Sequence, residues 1–343
     1  MRALVWHGRG DVRVRDVPPP AAPRADEVTV AVEWCGICGT DVDEWRHGPR
    51  LVPTEPHPLT GRMAPLVLGH EVAGRVSAVG RGVDFLREGD LVALDANVSC
   101  GQCWWCARHE VTLCPNLAAI GLQMDGGLAE AVTVPARMCL PVPKGVEAET
   151  AALAEPLAVA VRALRKGDVR VGTSLVVVGG GMIGAATVAA ARAAGAQQIA
   201  VVEPDAARRA LALRLGADAA VAPADAVDLP HADVVVDAVG LGETVAQSLC
   251  LARSGGRVVV VGLSGDRMSF DIQPFVASEK ELVGSLSHVW DEDFAAAVRL
   301  LGDGVLRAED VVAQRLPLEE AVERGFESPD YGSGVKILVS PKL

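Results

Sequence analysis

The stretch Ser174-Leu-Val-Val-Val-Gly-Gly-Gly-Met-Ile-Gly184 begins as an apolar run of the buried type, breaks into glycines and continues as an alanine-rich helical pattern. That order predicts a strand, a tight turn and a helix start. Gly179, Gly181 and Gly184 stand at G-x-G-x-x-G spacing: the first permits the turn, the second lets a pyrophosphate approach the backbone, and the third lets helix pack on strand. The helix start at Met182 and Ile183 offers free N–H groups and the positive end of a dipole to the phosphates. Beyond the helix a second apolar strand, Gln198–Val202, closes on Glu203, about 20 residues after the last glycine, where an acidic residue binds ribose hydroxyls. A carboxylate at that point repels a 2'-phosphate, so the preferred cofactor is NAD. Arg208, one helical turn on, pulls the other way, because an arginine near this site accommodates that phosphate.

Outward from this turn the texture is uniform. From about Thr150, Ala/Leu-rich helical patterns alternate with all-apolar strands at Leu175–Val178, Ile199–Val202, Val234–Val239 and Val258–Val261, with Leu282–Ser287 as a further candidate. Such alternation implies a parallel sheet covered on both faces. Residues before it are rich in Val, Pro and Gly, with period-two runs at Glu27–Glu33 and Val72–Val79, and predict a barrel-like β domain. The C-terminal stretch holds an amphipathic helix at Phe294–Leu301, a helix start near Leu318 and a closing strand at Val335–Val339. It is too short for a core of its own and is expected to return to the N-terminal domain. The chain is thus read as an α/β protein with a β-rich domain over 1–152, a doubly wound parallel-sheet domain over 153–290, and a returning segment over 291–343.

At 343 residues the chain exceeds what one core usually supports, and 50% of its residues are hydrophobic. A formal net charge of −12 argues against a nucleic-acid partner or an anionic membrane surface. Val171–Ala191 carries no charge, but its three-glycine turn and small residues suit a buried strand and helix better than a membrane span. The opening residues Met1–Gly8 lack an apolar signal-peptide region, so a soluble cytoplasmic protein is expected. The eight cysteines are too few and too clustered for a secreted disulfide scaffold. Their short spacings favour thiolate metal ligands.

Cys100, Cys103, Cys106 and Cys114 form C-x2-C-x2-C-x7-C, spacing that lets one compact lobe (about residues 96–116) wrap a tetrahedral ion. Four thiolates leave no open coordination position, so this zinc would be structural. A second set is dispersed: Cys38 in Cys35-Gly-Ile-Cys-Gly-Thr-Asp41, His70 and Glu71 in Leu68-Gly-His-Glu-Val72, and Glu155 in Ala154-Glu-Pro-Leu157. Taken singly, each has a bland alternative. A lone Cys is a small buried hydrophobe, a lone His a satisfied core or surface residue, and Glu155 an ordinary first-turn acid.

Together, and in this order along the chain, the Gly-His-Glu run, the four-cysteine lobe, Glu-Pro-Leu-Ala-Val-Ala and the glycine turn resemble a zinc-dependent medium-chain alcohol/polyol dehydrogenase over essentially the full length. The run Thr54-Glu-Pro-His-Pro-Leu-Thr60 ahead of Gly69-His-Glu71 most resembles the butanediol dehydrogenase branch, with sorbitol and threonine dehydrogenases as close relatives. The resemblance implies a GroES-like catalytic domain, a Rossmann domain, two zinc ions per chain, NAD, and a homodimer or homotetramer. It makes Cys38 and His70 ligands of a catalytic zinc, with Glu71 or Glu155 completing the set. In polyol-type relatives the Glu beside His can bind directly while the Glu before Pro acts through the metal's water.

A mixed S/N/O site with an exchangeable position suits zinc for polarising the oxygen of a small alcohol or ketone substrate, and the nicotinamide takes the hydride. Thr40, two residues after Cys38, is placed to hydrogen-bond that oxygen and start a proton relay. The family's usual relay His, five past the ligand Cys, is replaced by Asp43, with Glu44 beside it; both are expected to line the outer wall of the site, with a solvated acidic loop as the alternative. Ser287-His288 stands where sorbitol dehydrogenases carry Arg-Tyr, which weakens the sorbitol reading. The leading function is oxidation of a secondary alcohol of diol, polyol or hydroxyketone type. The alternatives are a redox-neutral enzyme that retains its NAD, acting as an epimerase or eliminase on a polyol or cyclitol, and a cofactor-binding protein without turnover.

Overall fold

In a computed structural model, which describes residues 1–327, 332 and 334–343, the chain divides into two compact units. The first comprises Met1–Glu155, residues 289–327 and Lys336–Leu343; the second comprises Pro156–His288 and the described residues of 332–335.

The first unit is built around the strand Glu27–Ile37. Its first half alternates, with Val28, Val30 and Val32 buried and their neighbours partly exposed, as a half-covered strand requires. The antiparallel pairing with Glu71–Val79 then slips between Val32 and Trp34, and Cys35, Gly36 and Ile37 are buried in succession. Bulges of this kind re-aim side chains near functional sites. Here the slip brings the strand end to the point where the helix Gly39–His47 begins. Lys336–Ser340 covers that end, pairing antiparallel with Ile37, Gly36 and Cys35, and every residue of this closing strand is buried. The seven-stranded sheet is completed by Cys139–Pro141, Leu91–Leu94, Ala131–Pro135 and Val312–Pro317. Trp6, Leu68, Ile120 and Phe326 are fully enclosed in the core beneath it.

The second unit is a six-stranded, all-parallel sheet. Its order is Ala219–Val221, Gln198–Val202, Ser174–Val178, Ala232–Asp237, Ala252–Val260, Glu281–Gly284. Chain order reverses between Ser174–Val178 and Ala232–Asp237, the switch point at which open α/β sheets bind ligands. Both central strands are Val-rich and buried, as expected for strands covered on two faces. Ala232–Asp237 stops two residues short of the expected Val239. The buried Asp237 carboxylate accepts the N–H groups of Val239 and Gly240 at 2.9 and 2.6 Å and turns the chain there.

Candidate active site and metal centres

The lobe's four cysteines are free thiols whose sulfurs lie within 4.8 Å of one another. Cys103 and Cys106 Sγ are 3.5 Å apart, and Cys100 and Cys106 Sγ 3.9 Å apart. Tetrahedral coordination at Zn–S bond length separates sulfurs by about 3.8 Å, so the donor set fits one zinc ion. Backbone N–H groups, foremost that of Gln102, pull the Cys100 thiol down to about 6, whereas burial pushes Cys114 up to about 11. Of these two, Cys100 is the readier thiolate at neutral pH. Trp104 is exposed, stacks edge-on against Trp105, and carries the Arg108 guanidinium 3.7 Å from its ring centre.

The dispersed set converges in part. One donor atom each from Cys38, His70 and Glu71 falls within 4.8 Å of the others. Glu155, buried in the first turn of the helix Ala154–Lys166, is not among them. Cys38 caps the helix Gly39–His47, and the Cys38 N–H donates to Asp41 Oδ2 at 2.9 Å. The other oxygen of Asp41 faces His70 Nδ1 at 3.5 Å. Burial would depress His70, but the Asp41 carboxylate and the Cys38 thiol group raise its pKa well above the ordinary value. That field favours a cation at this point, proton or metal. His70 Nδ1, Asp41 Oδ1 and Glu71 Oε2 are buried atoms without a hydrogen-bond partner, a pattern that a metal ion and its surrounding shell would satisfy. Burial, then the Asp41 and Glu71 carboxylates, push the Cys35 thiol well up, so Cys35 stays protonated while Cys38 faces the ligand group.

Two residues of this centre were not singled out from sequence. Asp41 is fully buried and had a signal: it stands at the third helical position after Cys38, where an acid closes a capping box. Lys336 donates to Glu71 Oε1 at 2.6 Å, and its signal was a charge inside an otherwise apolar closing strand.

Thr40 is half-buried on the first turn of the same helix. Asp43 is half-exposed, with its carboxylate 2.8 Å from His47 Nδ1 and 2.9 Å from Arg50 Nη1. Glu44 departs from both readings offered for it. It is 1% exposed, and its carboxylate accepts backbone N–H groups of Arg50, Leu51 and Val52 at 2.9, 2.9 and 3.3 Å. Those bonds take it out of any wall or solvated loop and make it the organiser of the turn after the helix.

In the second unit, Gly179 adopts φ +97°, and a Cβ on Gly184 would lie 1.8 Å from the Gly179 carbonyl oxygen. Turn and close packing thus both demand glycine. A Cβ on Gly181 would meet nothing within 4 Å, which leaves room for a pyrophosphate over the N-terminus of the helix Met182–Ala193, where Met182 and Ile183 lie. Glu203 is buried rather than a solvated strand end: Oε2 accepts the Gly180 N–H at 2.6 Å and Oε1 the Asp205 N–H at 2.9 Å. The Arg208 N–H donates to Asp205 Oδ1, the N-cap of the next helix. Neighbouring Arg209 is turned onto the Glu203 and Pro204 carbonyls.

Residues 24–144 match the model of the alcohol dehydrogenase GroES-like domain, and residues 183–303 that of the zinc-binding dehydrogenases. The chain is 33% identical to (R,R)-butanediol dehydrogenase of Saccharomyces cerevisiae, covering 99% of this chain and 98% of that protein. It is 31% identical to D-xylulose reductase A of Aspergillus niger over 98% and 96% of the two chains. A zinc-binding dehydrogenase of Sinorhizobium meliloti, solved with NADP, superposes with a TM-score of 0.90 at 32% identity over 99% of each chain. With both domain models matched and full-length relatives above 30% identity, the chain belongs to the zinc-dependent medium-chain alcohol and polyol dehydrogenase family.

Proposed function

We propose that the protein is an NAD-dependent dehydrogenase that interconverts a secondary alcohol of the vicinal diol, polyol or hydroxyketone type with its ketone. The observation that carries this reading is the convergence of Cys38, His70 and Glu71, with Asp41 buried behind the imidazole. Cys38, His70 and one of Glu71 or Glu155 hold a catalytic zinc, and the four lobe cysteines hold a structural one. Bound there, the catalytic ion supplies Lewis-acid polarisation of an alcohol or carbonyl oxygen, and bound NAD supplies the hydride acceptor.

The chain's own residues do the rest. Asp41 fixes the His70 ring, the usual duty of a carboxylate behind a ligating imidazole. Thr40 accepts the substrate hydroxyl proton and hands it outward to Asp43, whose neighbour His47 is the next group toward solvent. The first structural unit is the catalytic domain and the second the cofactor domain.

The NAD preference rests on Glu203. Its two oxygens each hold one backbone N–H and retain lone pairs for the ribose hydroxyls, while its charge opposes a 2'-phosphate. The Sinorhizobium relative with NADP makes this a point to measure. The test is an NADH-release screen of the zinc-loaded protein over diols, polyols, amino alcohols and cyclitols, run with NAD and NADP in parallel. Net NADH formation on a neutral diol or polyol is expected. Substrate turnover without NADH would mean redox-neutral chemistry, and preference for NADP would sink the Glu203 assignment. Glu203→Ser is expected to raise NADP use relative to NAD by about tenfold or more, since one good pairing exchanged for a repulsion spans at least that range.

No helix among the described residues is long and apolar enough to cross a membrane. The sheet-edge strand Glu281–Gly284, with Leu282 and nearby Leu286 exposed, supports a homodimer or homotetramer.

A further inference from the structure

Beneath the Cys38–His70–Glu71 group lies a side chain that the dehydrogenase reading does not use. Lys336 opens the closing strand, is 3% exposed, and donates from Nζ to Glu71 Oε1 at 2.6 Å and to the Ile37 carbonyl at 3.1 Å. Lysine is almost never so enclosed unless paired. The pairing of Ile337 with Ile37 puts Lys336 at the strand end that leads into Cys38. Gly36 makes the space on the other side: a Cβ there would lie 1.8 Å from Glu71 Oε2. The two oxygens of Glu71 are therefore unlike. One is held by an ammonium, and the other is buried without a hydrogen-bond partner, in a carboxylate that shares a ligand-spaced group with Cys38 and His70.

The charges explain what the ammonium does. An ionised Cys38 with Asp41 and Glu71 places three formal negative charges around one buried centre. A divalent ion offsets two, and Lys336 offsets another. With the ammonium gone, Glu71 would be an uncompensated buried carboxylate, which is strongly unfavourable. Its remaining cationic partner is the metal.

We propose that Lys336 is a positioning residue that competes with the metal ion for Glu71, and so keeps the catalytic site exchangeable. The inference rests on the reading of Cys38, His70 and Glu71 as a zinc site. With Lys336 in place, Glu71 is a shared ligand and a coordination position stays available to a substrate oxygen. Without it, Glu71 closes onto the ion, and the site takes on the character of the four-thiolate lobe.

The test is release of zinc from the full-length, zinc-loaded protein to a chromogenic chelator, followed as two phases. A matched cobalt-substituted sample reports the coordination number through its ligand-field absorption. Lys336→Met is expected to slow the fast phase at least tenfold, leave the slow phase of the lobe unchanged, and shift the cobalt bands toward a higher coordination number. Lys336→Arg should restore wild-type release, and Glu71→Gln in the Lys336→Met background should make release fast again. Should Lys336→Met fail to fold, Lys336→Gln keeps a donor without the charge and carries the same expectation. A folded Met or Gln variant with wild-type or faster release, and unchanged cobalt bands, would overturn the proposal. A wild-type protein that binds one zinc only would instead overturn the metal reading beneath it.

Discussion

The two metal centres differ in what holds their ligands in place. The lobe draws its four sulfurs from one short loop, with three of the four cysteines partly exposed and short 3-10 turns around them. The other centre takes Cys38 from a helix cap and His70 and Glu71 from the entry to a central strand. Asp41, Glu71 and Lys336 back it, all at most 3% exposed. On the proposed reading, an ion in the lobe would stand in for a core, whereas in the buried centre the core is already present, held by paired strands and the helix cap, and an ion would be an addition to it. The consequence is that metal loss should cost the first region its fold and the second its chemistry.

The largest effect tests the lobe. Cys106→Ser removes the sulfur that lies near both Cys100 and Cys103. Binding of structural zinc by small modules is worth on the order of 10 kcal/mol. Even a fraction of that should lower the melting temperature by about 10 °C or more and open the loop to proteolysis, measured by calorimetry and limited digestion. A variant with one zinc and wild-type melting would show that the lobe is held by packing after all.

Next comes the buried centre. Cys38→Ser should leave the melting temperature within a few degrees of wild type, reduce bound zinc from two ions to one, and cut turnover by about a thousandfold, as expected when Lewis-acid stabilisation of roughly 4 kcal/mol is withdrawn. Mild chelation of the wild type should reproduce this state, with activity lost before any unfolding. Simultaneous loss of both would erase the distinction between the regions.

A smaller effect sharpens it. Asp41→Asn keeps the shape behind His70 and removes the charge, and loss of such a supporting carboxylate costs about 10–100-fold in metal affinity or activity. Competition titration with a zinc chelator reads the affinity directly. The effect should be confined to one of the two ions, and weakening of both would point to a global change instead.

The same contrast governs what was legible in the sequence. The lobe and the glycine turn are contiguous, and their spacing alone carries the geometry: the four sulfurs converge, and Gly179 and Gly184 stand where the turn and the packing demand. The doubly wound sheet was legible for a related reason, since Val-rich buried strands announce themselves, although Ala219–Val221 is too short to do so. Strand ends were less so, because Asp237 breaks the apolar run by bonding two following N–H groups, which no periodicity reports. The dispersed centre needed the family resemblance to join Cys38 with His70. Glu71 joined that group while Glu155 fell outside it. Glu44 was misread because adjacency to Asp43 made two acids look alike. Helical geometry puts one toward solvent and the other toward the turn at Arg50–Val52, where three N–H groups hold it.

The smallest expected effect concerns Asp43, which lies on the exposed side of the same short helix whose buried side carries Asp41. If Asp43 ends the relay from Thr40, Asp43→Ala removes the group that accepts the alcohol proton, and the deficit is felt most where bulk hydroxide is scarcest. Hydride transfer should then fall about three- to tenfold at low pH and converge on wild type as pH rises, the lower end of what a positioned acid or base contributes. His47 shares the Asp43 carboxylate at 2.8 Å, so His47→Gln should show the same pH profile in weaker form. A substrate-recognition role gives a different signature: the Michaelis constant would rise for amino alcohols while neutral diols were spared at every pH. Single-turnover rates for both substrate types across the pH range separate the two. A flat ratio of mutant to wild type in every condition would assign Asp43 to its ion pairs with His47 and Arg50, a surface contact worth at most about 1 kcal/mol.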